Sequence, residues 1–180
     1  HGGYLLMGLV AANQVGKAAI LFYLLAYAVT NLAAFGVIAL LGSRDAPNDE
    51  LRDFTGLSRT RPALAALMTA CLLSLGGLPP TAGFMGKVYI FSAAVEAGYT
   101  WLVVIAVLNS VVAVTYYLGV VVRIFMRESR TEDAEETPAG LRMGVLTAAG
   151  LVIAVWGTLH LGVFPSGALS LAKLAAAGGF

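Results

Sequence analysis

The sequence predicts an all-α fold, a polytopic bundle of transmembrane helices in which one helix is discontinuous. Apolar residues make up 59% of the chain and charged residues 12%, outside the usual range of a soluble globular domain. Several apolar runs also reach the ~20 residues that cross a bilayer core. A third observation predicts the interruption, since the apolar stretch 62–97 carries GGLPPTAG, residues 76–83, at its middle. Four long apolar regions exclude a soluble enzyme.

The chain starts at His1 and enters an apolar stretch at once, with no basic n-region or cleavage pattern. Residues 1–12 therefore read as the second half of a helix, and the chain as a piece of something longer. Residues 17–42 are apolar apart from Lys17 and a few uncharged polar groups, which makes a full span. The polar loop 43–61 carries mixed charge with Pro47 and Gly56, and a short surface helix is expected near Asn48 to Phe54. The 36 residues of 62–97 would make ~54 Å of helix against a core of ~30 Å. Gly-Gly followed by Pro-Pro cannot keep the backbone ladder. Either two short spans meet there or one span is broken inside the membrane. Residues 99–127 form another span, 128–140 a charged loop closed by Pro138 and Gly140, 141–164 the last span, and 165–180 a short amphipathic tail.

Arginine placement decides between the two readings of 62–97, because Lys and Arg concentrate in cytoplasmic loops. Arg44, Arg52, Arg59 and Arg61 accompany the first loop; Arg123, Arg127, Arg130 and Arg142 accompany the second. One broken span puts all eight on one side, with Lys17 and Lys173 opposite, whereas two spans would divide them. The broken span is favoured, with loops 43–61 and 128–140 cytoplasmic.

Lys87 is the basic residue left at membrane depth, a few positions after the break. A charge there costs several kcal/mol unless it is paired or hydrated, which makes it a functional hypothesis by default. The plainer alternative is a structural lysine that snorkels to the headgroups, and a lysine this deep has little path to them. Unwound backbone in a bilayer is tolerated where protein or a water-filled cavity satisfies it, as in transporters. Water and Lys87 then belong together, and a lysine whose proton affinity answers to hydration and nearby charge can load and release protons.

Other helices offer partners. Tyr23, Tyr27, Thr30 and Asn31 share one helix face, and Asn109, Tyr116 and Arg123 recur at seven-residue spacing on another. Such stripes also serve simply to join helices by hydrogen bonds. Glu96 sits at the far end of the broken span, His1 is placed to relay protons as a neutral imidazole, and His160 reads as interfacial. Net charge is +1 and gives no field for nucleic acid. The single Cys71 excludes a disulfide framework or a Cys-ligated cluster within the chain and reads as a small buried apolar residue. There is no dinucleotide or Walker motif, no His/Cys cluster with metal spacing and no nucleophile elbow.

Several strings carry a resemblance together: HGGYLLMGL, LFYLLAYAVTNLAAFGVIALL, SLGGLPPTAGFMGK and VLNSVVAVTYYL. They resemble the N subunits of NADH:quinone oxidoreductase, respiratory complex I, over nearly the whole chain. The resemblance implies the second half of an antiporter-like inverted-repeat fold, with the first repeat placed before residue 1. It implies a proton-translocating subunit in which Lys87 matches the channel lysine of the broken helix. Val88 after that lysine suits the N type better than the L type. His1 matches the histidine of the family's H-x-G-Y stretch on the central polar axis, and Tyr27 falls where related subunits carry another axis residue, often His. It further implies other membrane-arm subunits as partners, including antiporter-like ones. No flavin (FMN), iron–sulfur cluster or nicotinamide site is implied for this chain; those groups and quinone belong to other subunits, in a bacterial inner membrane. Two alternatives are a subunit of a multisubunit cation/proton antiporter and a purely structural membrane subunit.

Overall fold

The computed structural model describes residues 1–42, 50–127 and 145–178. Among the described residues the regular structure is helical: α1 (Gly2–Ala11), α2 (Gln14–Leu41), a short α3 (Leu57–Thr60), α4 (Pro62–Gly76), α5 (Ala82–Glu96), α6 (Thr100–Met126), α7 (Val145–Val163) and α8 (Ser166–Ala177). Three of them, α2, α6 and α7, are long and apolar enough to cross a membrane.

The 28-residue α2 is the spine. Its start is fixed by Asn13, whose Oδ1 accepts from the Gly16 N–H at 2.6 Å while Nδ2 donates to Ala93 O at 3.2 Å. One side chain thus caps α2 and ties it to the end of α5. A two-residue turn, with Ala12 in the left-handed region at φ 50°, folds α1 back antiparallel to α2. His1 consequently stands beside Tyr23 and Tyr27, near the middle of α2.

Helices α4 and α5 make one antiparallel crossing beside α2. Leu64, Ala65 and Met68 pack with Val37 and Leu41 at one end, and Ile90 and Ala94 pack with Ala19 and Tyr23 at the other. The interruption lies between them at residues 77–81, where glycine and proline cannot continue a helix. The single broken span expected from the arginines is therefore the observed one.

Helix α6 returns along α5 and then α4. Its end meets the first polar loop, where the Gly56 N–H donates to Arg123 O at 3.1 Å and Ile124 joins Phe54 and Leu57 in the core. Both arginine groups thus share one end of the bundle as far as they are described. The short surface helix expected near Asn48 to Phe54 is a 3-10 turn over Leu51–Phe54, with Glu50 and Asp53 forming a capping box. Residues 43–49 and 128–144, which include Arg44, Arg130, Arg142 and the whole of the second loop, lie outside the described residues.

Helix α7 runs antiparallel to α2, with Leu151 against Gly36 and Gly157 against Val29. The short amphipathic tail after Phe164 contains helix α8, Ser166–Ala177. Ala172 and Ala176 of α8 are buried against Ala18, Phe22 and Ala26 of α2. Apolar residues at the right spacing give this stretch a face that an adjacent helix can cover. Lys173 therefore lies toward the same end as Lys17.

Glycine allows the tightest approaches. A Cβ on Gly83 would collide with the Ser74 backbone, one on Gly162 with Pro80 O and Thr81, and one on Gly86 would stand 2.5 Å from the Tyr23 ring. Gly119 on α6 has open space around it.

Gly83→Ala and Gly162→Ala are expected to lower the thermal midpoint of the detergent-solubilised full-length protein by several degrees. Gly119→Ala should leave it level or raise it slightly, because helix propensity favours alanine by up to about 1 kcal/mol. Equal midpoints for all three would show that these glycines do not set the packing. Asn13→Ala removes the cap of α2 and should cost about 1 kcal/mol, read as an earlier unfolding midpoint in denaturant.

Candidate functional site: a lysine at a helix break beside a lined cavity

A helix leaves its last four carbonyls without intrahelical donors, and α4 ends where the chain has no regular structure to supply them. The four carbonyls are those of Leu73, Ser74, Leu75 and Gly76. Gly77, at φ +83°, turns the chain into a Schellman motif. Its N–H reaches Ser74 O at 2.9 Å and the Leu78 N–H reaches Leu73 O at 3.0 Å. That leaves Leu75 O and Gly76 O.

Lys87 supplies both. Its Nζ donates to Gly76 O at 2.7 Å, to Leu75 O at 3.2 Å and to Ser110 Oγ of α6 at 2.9 Å. An ammonium has three N–H donors, and these partners use all of them. The placement also sets a positive charge at the negative end of the α4 dipole. The residue is 4% exposed, and its Nζ lies 5.1 Å from the centre of the Tyr4 ring, within cation–π range. A Cβ at Gly77 would stand 2.8 Å from Nζ, so this glycine is required both by its φ and by the lysine.

The first turn of α5 lies beside the last turn of α4. The Gly83 N–H donates to Ser74 Oγ at 3.2 Å, and Ser74 Oγ is 3.3 Å from Thr30 Oγ1. Thr30 donates its own proton to Ala26 O at 2.8 Å, which makes Ser74 the donor between the two hydroxyls. Thr158 Oγ1 of α7 lies 3.4 Å from Thr30. Each of these three side chains is 1% exposed, and Thr158 gives its proton to Ala154 O at 2.9 Å, so the hydrogen-bonded link runs from Ser74 of α4 to Thr30 of α2 while Thr158 of α7 packs beside it at the level of the break.

His1 occupies a second polar centre. Its Nδ1 is 2.6 Å from the Tyr23 hydroxyl and its Nε2 is 3.2 Å from the Tyr117 hydroxyl. The Tyr27 ring stacks on the imidazole at 4.9 Å between centres. Lys87, His1, Tyr4, Asn109, Tyr116 and Tyr117 all line one cavity of about 590 Å³ between α1, α5 and α6. That volume has room for several waters, each with a liquid share of about 30 Å³, and its polar groups gather at the His1 and Lys87 end among apolar residues such as Leu6, Val10 and Ile105.

The structure thus brings Lys87, His1 and Tyr27 to one region. It divides the stripe on α2: Tyr23 and Tyr27 meet His1, Thr30 enters the hydroxyl layer, and Asn31 donates to Tyr27 O at 3.0 Å. On α6, Asn109 and Tyr116 line the cavity, while the backbone of Arg123 meets the first loop. Glu96 is exposed at the end of α5, and His160 is exposed and stacked on Trp156 at 4.7 Å, away from both centres. Ser110, Tyr117 and Tyr4 do not stand out in the sequence as partners. The signal for the first two is their own seven-residue spacing on α6. No group of three or more His, Cys, Asp or Glu arranged to hold a metal occurs among the described residues.

The family profile described as "NADH:quinone oxidoreductase/Mrp antiporter, TM" matches residues 1–113. NADH-quinone oxidoreductase subunit N of Trichlorobacter lovleyi is 43% identical over 175 residues, which cover 97% of this chain and 35% of that protein. Subunit N of Saccharopolyspora erythraea is 42% identical over 180 residues, 100% of this chain and 34% of that protein. Respiratory complex I from Thermus thermophilus with bound aureothin contains a chain that superposes with a TM-score of 0.74 at 33% identity, over 93% of this chain and 36% of that one. The Mrp complex of a Dietzia species superposes with 0.80 at 27% identity, over 97% and 40%. The chain spans about a third of the length of the curated relatives it matches. With a profile that covers more than half of its residues, the chain belongs to the transmembrane family shared by NADH:quinone oxidoreductases and Mrp antiporters.

Proposed function

We propose that this chain is part of a proton-translocating, antiporter-like subunit of the N type in NADH:quinone oxidoreductase, with Lys87 as the side chain that takes up and releases the proton. The observation that carries the reading is the environment of Lys87: a buried lysine, held by the open end of a broken helix, on the wall of a cavity large enough for water. In its charged form the lysine satisfies two carbonyls. On giving up a proton it keeps two N–H donors for the two carbonyls and gains a lone pair that the Ser110 O–H can fill, so both protonation states can be held at the same place. His1 and Tyr27 extend the polar centre along α1 and α2. Subunit N relatives at about 40% identity support the N type.

In this reading the partners are other membrane-arm subunits of complex I, antiporter-like ones included, together with the lipid bilayer. Quinone reduction and its flavin and iron–sulfur chemistry take place in other subunits. The arginine-bearing end of the bundle, with Arg52, Arg59, Arg61 and Arg123, faces the cytoplasm of a bacterial inner membrane, by the positive-inside rule.

A second reading, a subunit of a multisubunit cation/proton antiporter, draws on the likeness to the Mrp complex, which superposes with the higher TM-score of the two solved structures. NADH-driven pumping that is insensitive to sodium separates the two. A purely structural role for Lys87 is the third.

Proton pumping and NADH:quinone activity in proteoliposomes, with Lys87→Met and Lys87→Arg in the full-length subunit at equal assembly, test the reading. Met is expected to abolish most pumping and coupled turnover while Arg retains part. Normal pumping by both would make the lysine structural. Gly77→Ala should act in the same direction as Lys87→Met but less severely, since it costs about 1–2 kcal/mol of left-handed backbone strain and crowds the ammonium. Wild-type pumping in Gly77→Ala would separate proton transfer from the α4 contact.

A further inference from the structure

The imidazole of His1 has two nitrogens, and a phenol hydroxyl occupies each of them: Tyr23 of α2 at Nδ1 and Tyr117 of α6 at Nε2. The two phenols differ in what lies behind them. Tyr23 is 2% exposed, packed on Gly86 and within the core formed by α1, α2 and α5. Tyr117 is half-buried and lines the cavity that Lys87 also lines. His1 lines the cavity as well, but both of its nitrogens are hydrogen-bonded to phenols, so the pre-aligned route for a proton into or out of the ring runs through a phenol oxygen, and of the two only Tyr117 lines the cavity.

We infer that Tyr117 is a proton-carrying residue, the hydroxyl through which His1 exchanges protons with the cavity at Lys87. The inference rests on the proton-translocating reading above. The transfer balances without a co-reactant. Imidazolium Nε2–H gives its proton to the Tyr117 oxygen as that oxygen releases its own proton to cavity water, leaving a neutral imidazole and an unchanged phenol. Run backwards, the same step loads the ring. A phenol suits this role because its oxygen both donates and accepts, and proton transfer through positioned side chains accelerates such steps substantially. Ser110 lies seven residues earlier, about two helical turns or ~10 Å away along α6, and holds Lys87 at 2.9 Å. One face of α6 therefore touches both proton-bearing side chains.

The test uses the full-length subunit in the intact complex, with Tyr117→Phe, Tyr117→His and, in parallel, Lys87→Met. Pumping, coupled NADH:quinone turnover and the H2O/D2O rate ratio are read at equal assembly. Phe keeps the ring and deletes the hydroxyl, so pumping should fall about ten-fold or more with an altered isotope ratio. Tyr117→His restores a proton-carrying ring and should recover part of the loss. A merely structural tyrosine predicts the opposite order, with Phe better tolerated than His, and that result overturns the inference. Wild-type pumping by Tyr117→Phe also overturns it. If Lys87→Met still abolishes pumping in that case, the function proposed above stands and only the relay falls. If Lys87→Met pumps normally while Tyr117→Phe does not, the relay stands and the lysine assignment falls.

Discussion

The structure depends on how the end of α4 is satisfied inside an apolar bundle. An unpaired carbonyl in hydrocarbon costs several kcal/mol, and a helix that stops at mid-depth exposes four of them. Here the backbone provides for two through a Schellman turn at Gly77, and Lys87 provides for two. The break and the lysine are thus one device: the helix end makes a buried ammonium tolerable, and the ammonium makes a buried helix end tolerable. Neighbouring elements are shaped around that exchange. Gly77 admits the lysine stem, Gly83 lets α5 begin beside α4, and Gly162 brings α7 onto the Pro80–Thr81 backbone. The hydroxyls of Thr30, Ser74 and Thr158 keep the same level free of unpaired polar groups.

A satisfied polar layer in an otherwise apolar core fixes the relative positions of its helices, because any slip leaves a buried hydroxyl or amide unpaired. The layer ties α2 to α4 and, through the Gly83 N–H, to the start of α5, with Thr158 of α7 packed against it. Helix α6 stands outside it. Its links to the site are the Ser110 and Tyr117 hydroxyls and Ala106 O, which accepts from the Tyr4 hydroxyl at 3.4 Å, while Leu108, Val111 and Tyr116 remain exposed. The lysine and histidine therefore sit between this registered group of helices and α6.

Much of this was legible in the sequence because it depends on residues with strong local consequences. Gly76-Gly77 followed by Pro79-Pro80 cannot carry a helix onward, so the break could be placed. The arginines at both ends of 62–127 share a side only if 62–97 crosses once, as a broken span, and 99–127 returns. Lys87 is conspicuous as a charge in an apolar run. Other features depend on how helices rotate against one another, which one helix's periodicity does not fix. The polar spacing on α6 drew attention to Asn109 and Tyr116, whereas the side chains that bond Lys87 and His1 are the next ones along, Ser110 and Tyr117. Ser74 and Thr158 are single hydroxyls in apolar helices, visible as a layer only once three helices are aligned. The packing of α8 was hidden by composition, since small alanines mark a close helix contact and a plain surface helix equally well.

The Ser110 and Tyr117 contacts of α6 lie on one uninterrupted helix of 27 residues. A helix of that kind is a stiff rod, so an axial displacement is transmitted along it undiminished. Ser110 and Tyr117 cannot shift independently by sliding. A push on α6 from either end reaches the lysine and the histidine with the same amplitude and at the same moment, which makes the two centres mechanically synchronous although neither touches the other through a hydrogen bond.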